Sequence, residues 1–272
     1  MQTDYINEYR KALILKNFSA NTIECYCSVV CKFITFFKIS PARINEDQII
    51  DYILNYNNTN TKAQQIGALK LFYRLVVKQP LKFKYIEYPR KESKLPVILS
   101  EEEMKRLIDV IQNKKHKAIV CLLYSCGLRV SELINLKIAD IDRDRHIIRI
   151  IGAKGFKDRN VPFSEKLRTV LVDYYKEYKP VEYLFNGQSG ILQYSKTSIR
   201  KFLNKYGKQA GIYKDIHPHL IRHCCFSHMT EMGIDLATIQ DLAGHKNPKT
   251  TMIYRHLSNK YISKIITPLD RI

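Results

Sequence analysis

Apolar residues recur along most of this chain at spacings of three and four, the mark of helices that each turn one face inward. In the first ninety residues four such segments follow one another with short breaks. Residues 4–16 are amphipathic, Ser19 or Asn21 can cap a helix running to Phe37, Asn45 can cap a third to about Asn55, and Thr61 opens a fourth to Lys78. Together they predict a small helical bundle. The pattern stops between Gln79 and Pro96, where Pro80, Pro89 and Pro96 punctuate the chain and the run Arg90-Lys91-Glu92-Ser93-Lys94 has no apolar period to pack. This reads as a boundary, with one domain over residues 1–90, a linker over 91–99 and a second domain over 100–272.

The second domain opens at Ser100, whose spacing to Glu103 is that of a capping box, for a helix ending near Gln112. A hydrophobic helix over 116–126 stops at Gly127, and a short helical stretch covers 130–136. The β-branched run His146-Ile147-Ile148-Arg149-Ile150-Ile151 is followed by Gly152-Ala153-Lys154-Gly155 and a second extended piece to Pro162, which predicts a β-hairpin with a lysine at its tip. Helices resume over 164–178, 195–211, 218–232, 235–243 and about 249–254, with a last short one over 259–266. The expected fold is mainly α with a small β-hairpin or sheet, an α+β arrangement.

Charge narrows the function. The formal net charge is +19. Residues 1–93 hold 14 Lys/Arg against 8 Asp/Glu, and residues 94–272 hold 31 against 18, so both domains are basic. Such a balance asks for an acidic partner, most simply nucleic acid gripped from two sides, because neutralised phosphates release counterions. No apolar stretch approaches the roughly 20 residues that cross a bilayer, and Met1-Gln2-Thr3-Asp4 does not open a signal peptide, so a soluble, cytoplasmic, nucleoid-associated protein without membrane contact is expected. The seven cysteines are odd in number and irregularly spaced, which suits reduced thiols.

The candidate chemistry lies in Arg129, then His219-Leu220-Ile221-Arg222-His223, then Gly244-His245, then Tyr254. Arginines are permanently charged forks matched to phosphate oxygens, histidines pass protons near neutral pH, and a phenol can attack phosphorus. His219, Arg222 and His223 share one helix face just after Pro218, at a helix N-terminus where anions are favoured. The competing reading of that face is a His-x-x-x-His metal pair assisted by Cys224 and His228, which an arginine between the two histidines opposes.

Gly127-Leu128-Arg129, the hairpin lysine, His219-x-x-Arg222-His223, Ala243-Gly244-His245 and Thr250-Thr251-x-x-Tyr254-x-His256 stand in the order and at the intervals of a known family. Over about residues 100–260 the chain closely resembles the tyrosine recombinase/integrase family, and its first ninety residues resemble that family's SAM-like core-binding domain. The minimal length is most similar to Xer-type or integron-type members. The resemblance implies a catalytic domain of the DNA breaking-rejoining fold. It also implies a site-specific recombinase that cuts and rejoins duplex DNA through a 3′-phosphotyrosine and a Holliday junction, in integration, excision or chromosome-dimer resolution. A type IB topoisomerase-like DNA-relaxing enzyme and a non-catalytic DNA-binding relative are the alternatives.

On this resemblance Tyr254 is the nucleophile, Arg129 and Arg222 clamp the phosphate, and His245 donates a hydrogen bond to it. Lys154 protonates the leaving oxygen, with Lys157 as its rival, and His219 assists proton removal from the tyrosine. His223 braces its helix and Glu132 orients Arg129. No metal and no cofactor are implied. The partner is double-stranded DNA carrying an inverted-repeat site, held by a homotetramer, with a segment near 257–272 donated to a neighbouring protomer. Lys62, Gln64, Gln65 and Lys70 in the first domain, and Lys196, Thr197, Ser198 and Arg200 in the second, are the candidate DNA-contacting residues on helix starts.

Overall fold

The computed structural model describes residues 2–90, 96–152, 158–187 and 193–257. The chain divides into two compact units, Met1–Ser93 and Lys94–Ile272.

The first unit is a bundle of α1 (Gln2–Leu15), α2 (Ala20–Phe37), α3 (Glu46–Leu54) and α4 (Thr59–Phe72). Ser19 caps α2, Asn45 caps α3 in a reciprocal capping box with Gln48, and Asn58 caps α4, which starts at Thr59, two residues before the expected Thr61. The fourth helix does reach Val77, but its last turn, Tyr73–Val77, widens to π-helical hydrogen bonding. α2 buries Ile23, Cys27, Val30 and Ile34, a helical stripe that meets Tyr9, Phe72 and Tyr73 in an aromatic core. Two buried phenols in that core are satisfied: Tyr9 donates to the Ala68 carbonyl and Tyr73 to the Pro41 carbonyl, both at 2.8 Å.

The second unit is built around α6 (Lys114–Cys126), which buries Ala118, Ile119, Val120, Leu122, Leu123 and Cys126. α8 (Glu165–Tyr178) and α10 (Pro218–Glu231) pack directly on α6. α5 (Glu101–Val110) also touches it, capped by the expected Ser100–Glu103 box, and so does the short α7 (Val130–Asn135). α9 (Lys196–Gln209), α11 (Leu236–Ala243) and α12 (Pro248–Leu257) complete the unit. The expected hairpin is the larger part of a three-stranded antiparallel sheet in which β2 (Ile147–Ile150) pairs with β3 (Arg159–Pro162) and with a two-residue strand β1 (Ile141–Asp142). Ile148 and Ile150 turn into the core while Arg149 between them faces water, the period of two that marks a half-buried strand. Ile150 lies opposite Arg159, and the Gly152 amide donates to Asp158 at 2.8 Å, closing the root of the loop. Lys154 and Lys157, like the expected helix over 259–266, lie outside the described residues. No described helix is long and apolar enough to cross a membrane.

Two anchors set α10 in this frame. The Leu99 amide donates to Cys224 Sγ, and His228 donates from Nε2 to the Leu99 carbonyl at 3.0 Å. The other ring nitrogen, Nδ1, is hydrogen-bonded to the Tyr124 hydroxyl at 2.7 Å. Both nitrogens of His228 and the sulfur of Cys224 are therefore committed to structure, which removes them from the metal-pair reading.

Gly127, at the end of α6, is left-handed (φ +57°), and a Cβ there would lie 2.3 Å from the Phe226 ring. Gly211 is also left-handed (φ +68°) but has open space around it. Gly127→Ala is therefore expected to cost about 2–5 kcal/mol, backbone strain plus overpacking, and Gly211→Ala only about 1–2 kcal/mol. Urea unfolding of the two variants side by side checks this, and equal losses would contradict it.

Candidate active site

The C-terminal end of α11 is where the chemistry gathers. Like any helix end it leaves carbonyls unpaired, and the helix dipole makes that end partly negative. Here three consecutive carbonyls meet three guanidiniums: Arg159 Nε donates to Leu242 at 2.7 Å, Arg222 Nη2 to Ala243 at 2.5 Å and Arg129 Nη2 to Gly244 at 3.0 Å. Gly244 is left-handed (φ +61°), a conformation that favours glycine, and a Cβ on it would stand 3.3–3.4 Å from atoms of Arg159 and Arg129, which would have to give by a few tenths of an ångström.

Arg222 sits on α10 and is 1% exposed. A buried cation must be matched by acceptors, and its other terminal nitrogen donates to the Gly127 carbonyl at the end of α6. Its guanidinium lies 4.9 Å over the Phe226 ring. Burial, then the nearby Arg129, lower its pKa to about 10, which still leaves it cationic at neutral pH.

Arg129 is the residue before α7, held by Glu132 three residues on. Glu132 Oε1 accepts from Arg129 Nη1 and Oε2 from the Arg129 backbone amide, both at 2.8 Å. The same two oxygens accept from Arg159 Nη1 and Nη2 at 2.8 Å, a bidentate fork from β3. Burial alone would raise the Glu132 pKa; the Arg159 fork, the Arg129 amide and the Arg129 guanidinium outweigh it and hold the carboxyl at about 2. Arg159 escaped the sequence reading because it follows two lysines and an aspartate on a short strand, where it looks like one more solvated charge.

His245 follows the gripped carbonyls directly. Its Nε2 is 3.3 Å from Arg222 Nη2, and its Nδ1 is 3.0 Å from the Thr251 hydroxyl. Since arginine only donates, Nε2 is the acceptor and Nδ1 carries the proton. Burial and then the positive Arg222 and Arg129 push its pKa down to about 4, so it is neutral.

Tyr254 lies on α12, 1% exposed, in a satellite core with Cys225, Phe226, Ile239 and Ala243. Its ring stacks at 6.2 Å from His245 and lies 5.8 Å from His223, which in turn meets His219 edge-on at 4.8 Å. Burial lifts the phenol pKa to about 12 against the opposing pull of Arg222. At neutral pH Tyr254 therefore keeps its proton, and a base must remove it for the oxygen to act as a nucleophile. His219, at the first turn of α10, stays accessible to water. The protein packed around its ring, then Arg222, His217 and Arg129, lower its pKa, so it is an available acceptor. His223 is neutral too, held to about 4 by burial and then by His219 and Arg222.

Arg129, His219, Arg222, His245 and Tyr254 are thus brought to one place. Of the candidate DNA contacts, Gln64 and Lys70 are exposed on α4 and Lys62 is half-buried, while Lys196, Thr197 and Arg200 are exposed on the first turns of α9, with Ser198 partly covered. Arg200 pairs with Asp215 at 3.4 Å. Gln65 does not belong with them. It is 5% exposed and lies on the stripe of Ala68, Leu69 and Phe72, one helical repeat of residues packed into the first core.

A profile of the phage integrase family matches residues 98–260, and one of the N-terminal SAM-like domain of phage integrases matches residues 5–83. A tyrosine recombinase XerA of Pyrococcus furiosus is 32% identical, covering 98% of this chain and 94% of that protein. A tyrosine recombinase XerC of Staphylococcus haemolyticus is 30% identical over 97% of this chain and 95% of that protein. Among solved structures, a XerA recombinase is 30% identical with a TM-score of 0.58, covering 97% of each chain. A XerH site-specific recombinase bound to palindromic difH substrate has a TM-score of 0.74 at 22% identity, covering 92% of this chain and 80% of that one, a likeness of fold. The chain belongs to the phage integrase family, whose members are tyrosine recombinases. It is a tyrosine-type site-specific recombinase with Xer-type relatives.

The Glu132 shift has a direction that can be tested. An ordinary carboxyl titrates near about 4.3, so a carboxyl at about 2 in the folded protein stabilises it fully above that range and ceases to do so as pH falls through about 2. Glu132→Gln should be less stable than wild type at neutral pH and lose less further stability between about pH 5 and 2. Parallel acid limbs in thermal unfolding would contradict this.

Proposed function

We propose that the arginine-rich pocket at the end of α11 binds the scissile phosphate of duplex DNA and that Tyr254 attacks it. The Tyr254 oxygen forms a bond to phosphorus as the bond to the 5′-oxygen breaks, leaving a 3′-phosphotyrosyl link and a free 5′-hydroxyl. The phosphodiester energy stays in the link, so the reverse attack by a 5′-hydroxyl rejoins DNA without a nucleotide cofactor. Arg129 and Arg222 hold the non-bridging oxygens as charge develops on them, the term that dominates phosphoryl transfer. His219 accepts the Tyr254 proton, and Lys154 gives one to the departing 5′-oxygen. His245 starts neutral with Nε2 turned to Arg222. An arriving phosphate offsets the two arginines that hold its pKa down, and His245 then donates to the phosphate.

The observation that carries this reading is the meeting of Arg129, Arg222 and His245 at the end of α11, with Tyr254 stacked on His245 and His223 lying between Tyr254 and His219. The net charge of +19 supports duplex DNA as the partner. Lys62, Gln64, Lys70, Lys196, Thr197, Ser198 and Arg200 contact it in this reading, and a homotetramer on paired inverted-repeat sites exchanges strands through a Holliday junction, in the cytoplasm on the nucleoid.

Nicked duplexes from a random library, which lose the 5′-hydroxyl fragment after cleavage, should trap wild type as a protein–DNA band on a denaturing gel, and Tyr254→Phe should give none. Equal bands from both would reject Tyr254 as nucleophile, and unselective relaxation of supercoiled DNA by a monomer would favour a topoisomerase. On a trapped sequence the cleavage rate should fall at low pH with an apparent pKa below about 6.5, and His219→Gln should lose that dependence. An unchanged acid limb in the variant would rule His219 out as the proton acceptor.

A further inference from the structure

Glu132 poses a problem for a phosphate site. It is a buried carboxylate, its side chain 3% exposed, in direct contact with Arg129 at 2.8 Å. On its own it would cancel Arg129 and repel an incoming phosphate, and at low local dielectric both effects are large. Arg159 changes that balance. Its side chain is 7% exposed, it takes both Glu132 oxygens at 2.8 Å, and its Nε is spent on the Leu242 carbonyl. Nε, Nη1 and Nη2 thus all point into the protein. Arg129, Glu132 and Arg159 together carry +1 instead of zero.

We propose that Arg159 is a positioning residue for DNA cleavage: it neutralises Glu132, so that the carboxylate orients Arg129 without cancelling the positive charge offered to the phosphate. Resting on the reading of Arg129 as a phosphate ligand, it also gives the hairpin a role beyond carrying Lys154. Arg159 begins the strand that returns from the lysine loop, and through Leu242 and Glu132 it ties that strand to α11 and α7. One side chain thus sets strand β3, the end of α11 that precedes His245, and Arg129 in a common frame.

The test is single-turnover cleavage of a nicked duplex trapped from the random library, with affinity measured separately by gel shift. Arg159→Gln is expected to bind DNA within a few-fold of wild type but to cleave it about 10–100-fold more slowly, the usual effect of losing a group that supports a ligand-holding residue. Arg159→Lys, which restores charge without the fork, should recover part of the rate. The decisive variant is Glu132→Gln combined with Arg159→Gln, which again leaves +1 on the trio and should cleave faster than Arg159→Gln alone. A merely structural ion pair would instead lower the unfolding midpoint of Arg159→Gln and leave its cleavage rate, measured well below that midpoint, at the wild-type level. A wild-type rate in Arg159→Gln, or a double variant slower than it, would overturn the proposal. Arg129→Ala separates the two levels. Loss of cleavage in Arg129→Ala with full rate in Arg159→Gln rejects only the role of Arg159. Full cleavage in Arg129→Ala rejects the clamp, and this proposal with it.

Discussion

Three guanidiniums on three successive carbonyls at the end of one eight-residue helix are what the rest of the catalytic unit depends on. The carbonyls of Leu242, Ala243 and Gly244 would otherwise be unpaired groups at a helix terminus, and the arginines would otherwise be buried or half-buried cations. Each set solves the other's problem. The arginines come from distant parts of the chain, the turn after α6, strand β3 and helix α10, so the grip draws these elements to α11. The left-handed Gly244 that ends the helix is followed at once by His245, which places a histidine beside the cations by chain geometry.

This arrangement decides the protonation states of everything nearby. Positive charge and burial act together on the imidazoles, and both His223 and His245 fall to about 4. They act against one another on Tyr254, where burial wins and the phenol rises to about 12. On Glu132 the arginines win over burial, and the carboxyl falls to about 2. The resting site therefore holds cationic arginines, neutral histidines and a neutral tyrosine, with one ionised carboxylate shared by two of the arginines. In the proposed reaction such a site receives an anion, and Tyr254 stays unreactive until a base takes its proton.

Much of this could be read from residues alone, for identifiable reasons. The helices were legible where apolar residues repeat along a stripe and a side-chain cap marks the start, as at Ser19, Asn45 and Ser100. Arg129, His219, Arg222, His245 and Tyr254 were legible as a set because their order and spacing resemble those of a family, and the fold brings all five together. Arg159 was not, because its importance comes from Glu132 and Leu242, contacts that no local pattern on β3 announces. Gln65 was misjudged by residue type, although its spacing from Ala68, Leu69 and Phe72 would have placed it inside. Strand β1 is only two residues long, too short for any alternation to show.

In the proposed reaction the cations fixing the end of α11 are the ones that meet the phosphate, so that Arg222 serves the fold and the reaction at once. The most direct measurement is Arg222→Lys, with unfolding and single-turnover cleavage followed on the same preparation. Lysine keeps the charge but cannot reach both the Gly127 and Ala243 carbonyls with a planar fork. The unfolding midpoint should drop while the protein still folds, and cleavage should slow by about 100-fold or more. A variant that loses stability yet cleaves at the wild-type rate would show that Arg222 holds the structure alone and that the phosphate is bound elsewhere.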